Sequence, residues 1–138
     1  MWWFYALLSA SFAALTAVLA KVGIKGVNSD LATAIRTLVI LLVAWGIVAA
    51  KGSLAELGTL TPRNWLFLAL SGGATGLSWI FYFRALQLGR VSQVAPVDKL
   101  SVALAIMLSV VFLGEKLTVP VAFGAALIII GTLVLIWG

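Results

Sequence analysis

The sequence predicts an all-α integral membrane protein, a bundle of five transmembrane helices, and three observations carry that prediction. The 138 residues are 64% hydrophobic and 9% charged, against about 45 to 50% and about 25% in soluble domains. Five stretches of about 20 residues, each long enough to cross a bilayer, take up most of the chain. The charged residues fall largely in the short intervals between them. A water-soluble globule is excluded, and no loop is long enough to hold a soluble ligand-binding domain.

The first segment, about residues 2–20, has no charge and opens on Met1-Trp2-Trp3-Phe4-Tyr5, aromatics suited to the headgroup boundary. No basic stretch precedes it as a cleavable leader requires, so the segment is expected to be retained. Lys21 to Asp30 is a polar hinge with Gly23, Gly26 and Asn28, and the second segment, about 31–50, is apolar apart from Arg36. The longest loop follows, Lys51 to Arg63. Within it Ser53-Leu54-Ala55-Glu56 has capping-box spacing for one short surface turn, which Thr61-Pro62 ends. The third segment, about 64–83, is uncharged with Trp65 at its entrance and Arg84 at its end. A Gly89-Arg90 turn leads into the fourth, about 91–113, charged only at Asp98 and Lys99. Gly114-Glu115-Lys116 turns the chain into the fifth, about 118–137, with Pro120 in its first turn and Trp137 at the far boundary.

The net charge of +5 does not signal nucleic acid, because the basic residues are scattered rather than gathered on one face. They serve as topology signals instead. Lys51, Arg63 and Lys116 lie on the N-terminal side, and Lys21, Lys25, Arg84 and Arg90 on the other. That near balance permits insertion in both orientations and an antiparallel pair. Arg36 and Lys99 lie nearer the second side and tilt the count toward a single orientation. Cysteine and histidine are both absent, which removes disulfides, thiolate nucleophiles, imidazole bases and the usual zinc or haem ligands. With one buried acid and no nucleophile and base pair, the expectation is no enzyme, no metal and no cofactor.

Arg36, Asp98 and Lys99 form the candidate site. A charge at mid-bilayer costs about 2.5 to 3.5 kcal/mol on insertion scales, so the three together need compensation. The second and fourth segments enter from the same side, and at 1.5 Å per residue the three charges share one layer. Asp98 and Lys99 are adjacent and diverge on a helix, which leaves Arg36 as the expected partner of Asp98. Helical spacing puts Asp98, Ser101, Ala105 and Ser109 on one small polar stripe. Ser71, Thr75, Ser78 and Tyr82 form another, with Trp79 beside it at the depth of the charges, while Thr33 and Thr37 flank Arg36. Such a layer suits a wet central cavity. It also suits a packing ion pair with hydroxyls bonded back to their own helices, and Trp79 and Tyr82 equally suit interfacial anchors. Gly72-Gly73-Ala74-Thr75-Gly76 permits close helix contact or a bend.

Val94-Ala95-Pro96, Leu113-Gly114-Glu115-Lys116-Leu117-Thr118 and Gly124-Ala125-Ala126-Leu127-Ile128-Ile129-Ile130-Gly131, in that order, resemble one EamA-like repeat of the drug/metabolite transporter superfamily. Lys21, Arg36 and Ala85-Leu86 also stand where that family tends to place them. The resemblance spans the whole chain. It implies one half of a ten-helix inverted-repeat fold, of the five-helix bacterial and archaeal branch, in a bacterial inner membrane or archaeal plasma membrane. It further implies export or exchange of small metabolites along a path between repeats. Asp98-Lys99 replace the family's usual small polar residues, and Val102 replaces a frequent proline. Gly124, Leu127, Ile128 and Gly131 resemble the dimer-forming helix of the small multidrug resistance branch. The acid-free first segment lacks that branch's membrane glutamate, so its proton-coupled export of lipophilic cations does not carry over.

The leading expectation is a secondary transporter acting as a homodimer, parallel or antiparallel, with Arg36, Asp98, Lys99, Trp79, Tyr82, Ser78, Thr75 and Ser101 meeting the substrate. The local charge of the trio favours an anionic or zwitterionic solute. A non-transporting membrane subunit of a hetero-oligomeric transporter or assembly complex is the alternative.

Overall fold

The structure is a computed structural model that describes residues 1–137, and it is all-helical as the sequence predicts. Among the described residues, five helical spans are long and apolar enough to cross a membrane: Trp2–Gly23, Ser29–Ala50, Pro62–Leu88, Val91–Leu113 and Val119–Trp137. The first three are α1, α2 and α3. The fourth is interrupted at Lys99 and consists of α4 (Val91–Asp98) and α5 (Leu100–Leu113). The fifth is α6 (Val119–Trp137).

Local chemistry sets the ends of these helices. Asn28, in extended backbone, caps α2: its side-chain oxygen accepts from the amides of Asp30 at 2.9 Å and Leu31 at 3.1 Å. Asp30 in the first turn adds a favourable charge at the positive end of the helix dipole. Gly52 takes a left-handed conformation (φ 72°), which turns the chain out of α2 and starts a 3-10 helix over Ser53–Thr59. The short surface turn is therefore present. Its cap is Gly52 and no side-chain capping bond forms, because the 3-10 segment already begins at Ser53. Thr61 accepts from the Asn64 amide at 3.2 Å, with Pro62 at the first position of α3. Gly114 closes α5 at φ 68°.

The interruption at Lys99 lies three residues beyond Pro96, which has no amide proton to give the preceding turn. The Lys99 amide is shared between the carbonyls of Ala95 (3.3 Å) and Pro96 (3.0 Å), a tightened turn. Thr132 of α6, 4% exposed, supports this point with a hydroxyl placed against the carbonyls of Ile128 (2.8 Å) and Pro96 (3.2 Å).

Contacts divide the chain into two compact units. One comprises Leu19–Gln87. Its apolar core is Ile24, Phe83 and Leu86, and it is tied where α1 and α3 end. The Lys21 ammonium donates to the Leu86 carbonyl. The Gln87 amide donates to the carbonyls of Val27 (2.5 Å) and Ile24 (3.5 Å). Each helix thus supplies donors to carbonyls near the end of the other, where the dipole is negative and orphan carbonyls gather. The other unit comprises Met1–Val18 and the chain from Leu88 onward, with α6 packed on α4 and α5.

Replacing Asn28 by alanine removes both capping bonds and is expected to cost about 1 kcal/mol of stability. Thermal unfolding in detergent should show a lowered midpoint for Asn28→Ala and a near-normal one for Asn28→Asp.

Candidate functional site

Arg36 projects from α2, and its guanidinium carbon lies 4.6 Å from the centroid of the Trp79 ring and 4.9 Å from that of Phe83. Trp79 and Phe83 are four residues apart on α3, so helical spacing puts both rings on one face. Phe83 is 2% exposed and packs edge-on against Tyr82, with ring centroids 6.2 Å apart. Its ring is therefore fixed. A guanidinium over aromatic faces gains about 0.5 to 2 kcal/mol, more as water is removed. The stack leaves the edge of the planar group unused. Within its own unit Arg36 has neither an ion pair nor a hydrogen bond to a protein acceptor, although the guanidinium carries five N–H donors in a fork that matches a carboxylate.

The hydroxyls around this arginine are partly committed. Thr33 donates to the Ser29 carbonyl and Thr37 to the Thr33 carbonyl, both at 2.8 Å, and Thr75 donates to the Ser71 carbonyl at 2.9 Å. Their protons are occupied by their own helices, and their oxygens retain acceptor capacity. Ser78 is exposed beside Trp79, and Tyr82 is half-buried.

Asp98 and Lys99 belong to the other unit and pair with each other, Nζ to Oδ2, at 3.3 Å. The expectation that the two diverge is corrected here. Adjacent helical positions do point apart, but the four-carbon lysine stem is flexible enough to fold its ammonium back to the preceding carboxylate. Ser101 stands exposed in the first turn of α5, and Ser109 donates to the Ile106 carbonyl at 2.9 Å. The candidate residues thus fall into an arginine held by aromatics in one unit and a self-neutralised pair in the other.

On α6, Gly124 and Ile128 are half-buried, whereas Leu127 and Gly131 are exposed. A methyl group added at Gly124 or Gly131 would meet nothing within 4 Å among the described residues.

Phe83 is the residue that sequence reasoning missed. Its signal was the spacing of four from Trp79 on the helix facing Arg36, a spacing that any apolar span offers many times over.

The EamA-like transporter family model matches residues 1–137. The chain belongs to the EamA-like transporter family. A protein from Sinorhizobium sp. named as an uncharacterized transporter in the cobO 3' region is 57% identical over 134 residues, covering 97% of this chain and 95% of that protein. The match extends along nearly all of both chains. No solved structure matches. Membership in the EamA-like family makes this a multi-pass membrane protein with a transport role, and the helical spans are the elements such a role requires.

A double-mutant cycle of Arg36→Met with Trp79→Leu should give a coupling of about 1 kcal/mol in thermal unfolding, the worth of a partly desolvated cation–π contact. Strictly additive effects would contradict the stack.

Proposed function

We propose that the protein is a secondary transporter of small metabolites carrying a carboxylate or similar anionic group, zwitterions included, working as a homodimer in the cell membrane and exporting or exchanging its substrate. The observation that carries this reading is the state of Arg36. Its charge is held flat by Trp79 and Phe83 with its N–H edge unclaimed within its own unit. A fixed guanidinium with an unused edge is suited to bidentate recognition of a carboxylate, and the aromatic wall leaves less rotamer freedom to be lost on binding.

Tyr82, Ser78 and Thr75 supply further polar atoms along α3, on the same helix as the clamp. The Asp98–Lys99 pair and Ser101 sit beside the interruption between α4 and α5, the kind of helix break at which transporters gather substrate and ion contacts. The homodimer is favoured by the small-residue positions. Side chains added at Gly72, Gly73, Gly76, Gly124 or Gly131 would meet nothing within 4 Å among the described residues. No packing among the described residues of their own units accounts for these glycines, and close approach of a second helix would. Gly124, Leu127, Ile128 and Gly131 remain the proposed pairing stretch, with Leu127 and Gly131 more open than Ile128. The family resemblance to a half-length repeat favours the bacterial inner or archaeal plasma membrane.

Thermal stabilisation of the purified protein by metabolites grouped by charge tests the reading. A carboxylate-bearing ligand at a hundredfold its dissociation constant stabilises by about 2.7 kcal/mol. That gain should vanish in Arg36→Met and fall sharply in Arg36→Lys, because an ammonium cannot reproduce the fork. Equal responses to cationic and anionic panels, or an anionic response that survives Arg36→Met, would count against it.

A further inference from the structure

A second basic feature lies where α1 and α3 end, apart from Arg36. Lys21, Ile24, Lys25, Gly26 and Gln87 line an open hollow of about 240 Å³. Two helix ends of negative dipole meet there, which by themselves would repel an anion. Internal donors offset that effect: Lys21 bonds to the Leu86 carbonyl, and Gln87 bonds to the carbonyls of Ile24 and Val27. Occupation of those three carbonyls removes part of that repulsion. Lys25 is exposed and makes no hydrogen bond or ion pair among the described residues. The amides of Lys25 and Gly26 donate to no backbone carbonyl there, and Gly26 is left-handed at φ 71°. Consecutive unpaired amides at a left-handed turn form a concavity that accepts anionic oxygens.

We propose that this hollow is a binding site for the phosphate group of an anionic phospholipid, with Lys25 and the Lys25 and Gly26 amides as its donors and Lys21 and Gln87 as its fixed wall. A lipid is the source, rather than free phosphate, because of what lies next to the hollow. Leu19 and Val22 are 62% and 64% exposed and precede Lys25 at intervals of three residues, so an apolar strip on α1 leads from the membrane interior to the donors. Acyl chains lie along that strip while the headgroup meets Lys25. The site differs from general attraction of basic residues to an anionic leaflet in that it depends on one lysine and one turn.

Native mass spectrometry of the purified full chain, with phosphatidylglycerol and phosphatidylcholine in competition, tests the site. The wild type should retain phosphatidylglycerol preferentially, and Lys25→Gln should weaken that preference about fivefold, the worth of one basic side chain at an anionic surface. Lys25→Arg should keep it. Lys51→Gln, at the other end of α2, should leave it unchanged. Equal loss in Lys25→Gln and Lys51→Gln would overturn the site in favour of diffuse attraction, as would no preference in the wild type. Displacement of the lipid by millimolar inorganic phosphate, with the same stabilisation from phosphate alone, would overturn the lipid assignment. Lys25 is exposed and unbonded, so its variants are expected to fold.

Discussion

A guanidinium inside a bilayer costs about 2.5 to 3.5 kcal/mol on insertion scales, and the arrangement of the Leu19–Gln87 unit follows from how Arg36 meets that cost. No acid of its own unit answers it. Two aromatic faces do, at 4.6 and 4.9 Å. That solution requires α2 and α3 to be in register at this depth, which the bonds among Lys21, Leu86, Gln87 and Val27 help to hold from the adjoining end. It also requires Phe83 to be immobile, and Phe83 is among the most buried side chains of the unit. Aromatic rings compensate a cation only in part, which leaves the arginine the residual charge that the proposed substrate contact uses.

The other unit deals with charge differently. Asp98 and Lys99 neutralise one another at the point where the fourth span is interrupted, and Thr132 supplies a hydroxyl to a carbonyl of the same turn. Backbone irregularity within a membrane survives where neighbouring side chains satisfy the freed groups, and Thr132 is such a neighbour. One unit thus holds a charge between aromatic faces on regular helices, and the other a paired acid and base on an irregular one.

Local signals made much of the fold legible in the sequence. Apolar length gave the spans, and Asn28, Pro62 and Gly114 marked boundaries by their own backbone chemistry. The clamp was half legible: counting residues into the membrane put Trp79 at the depth of Arg36, but a phenylalanine in an apolar span is unremarkable until its neighbours are known. The Asp98–Lys99 pair was misread because the helical-wheel rule treats side chains as rigid spokes, and a lysine is not one. The interruption at Lys99 was hidden because it is a tightened backbone turn, the Lys99 amide shared between the carbonyls of Ala95 and Pro96, a property that hydropathy does not register. The hollow beside Lys25 depends on which carbonyls Lys21 and Gln87 occupy, and those long-range bonds have no sequence signature.

The central claim is that Arg36 is open to a water-borne anion while lying within the membrane. The chain has no cysteine, so Arg36→Cys carries a single thiol at that point. The decisive measurement is its modification, in intact membranes, by small water-soluble methanethiosulfonates of opposite charge. The account predicts that the thiol is modified and that a cationic adduct, but not an anionic one, restores stabilisation by carboxylate ligands. A thiol that no hydrophilic reagent reaches in the folded protein would contradict it and leave Arg36 as a packing residue.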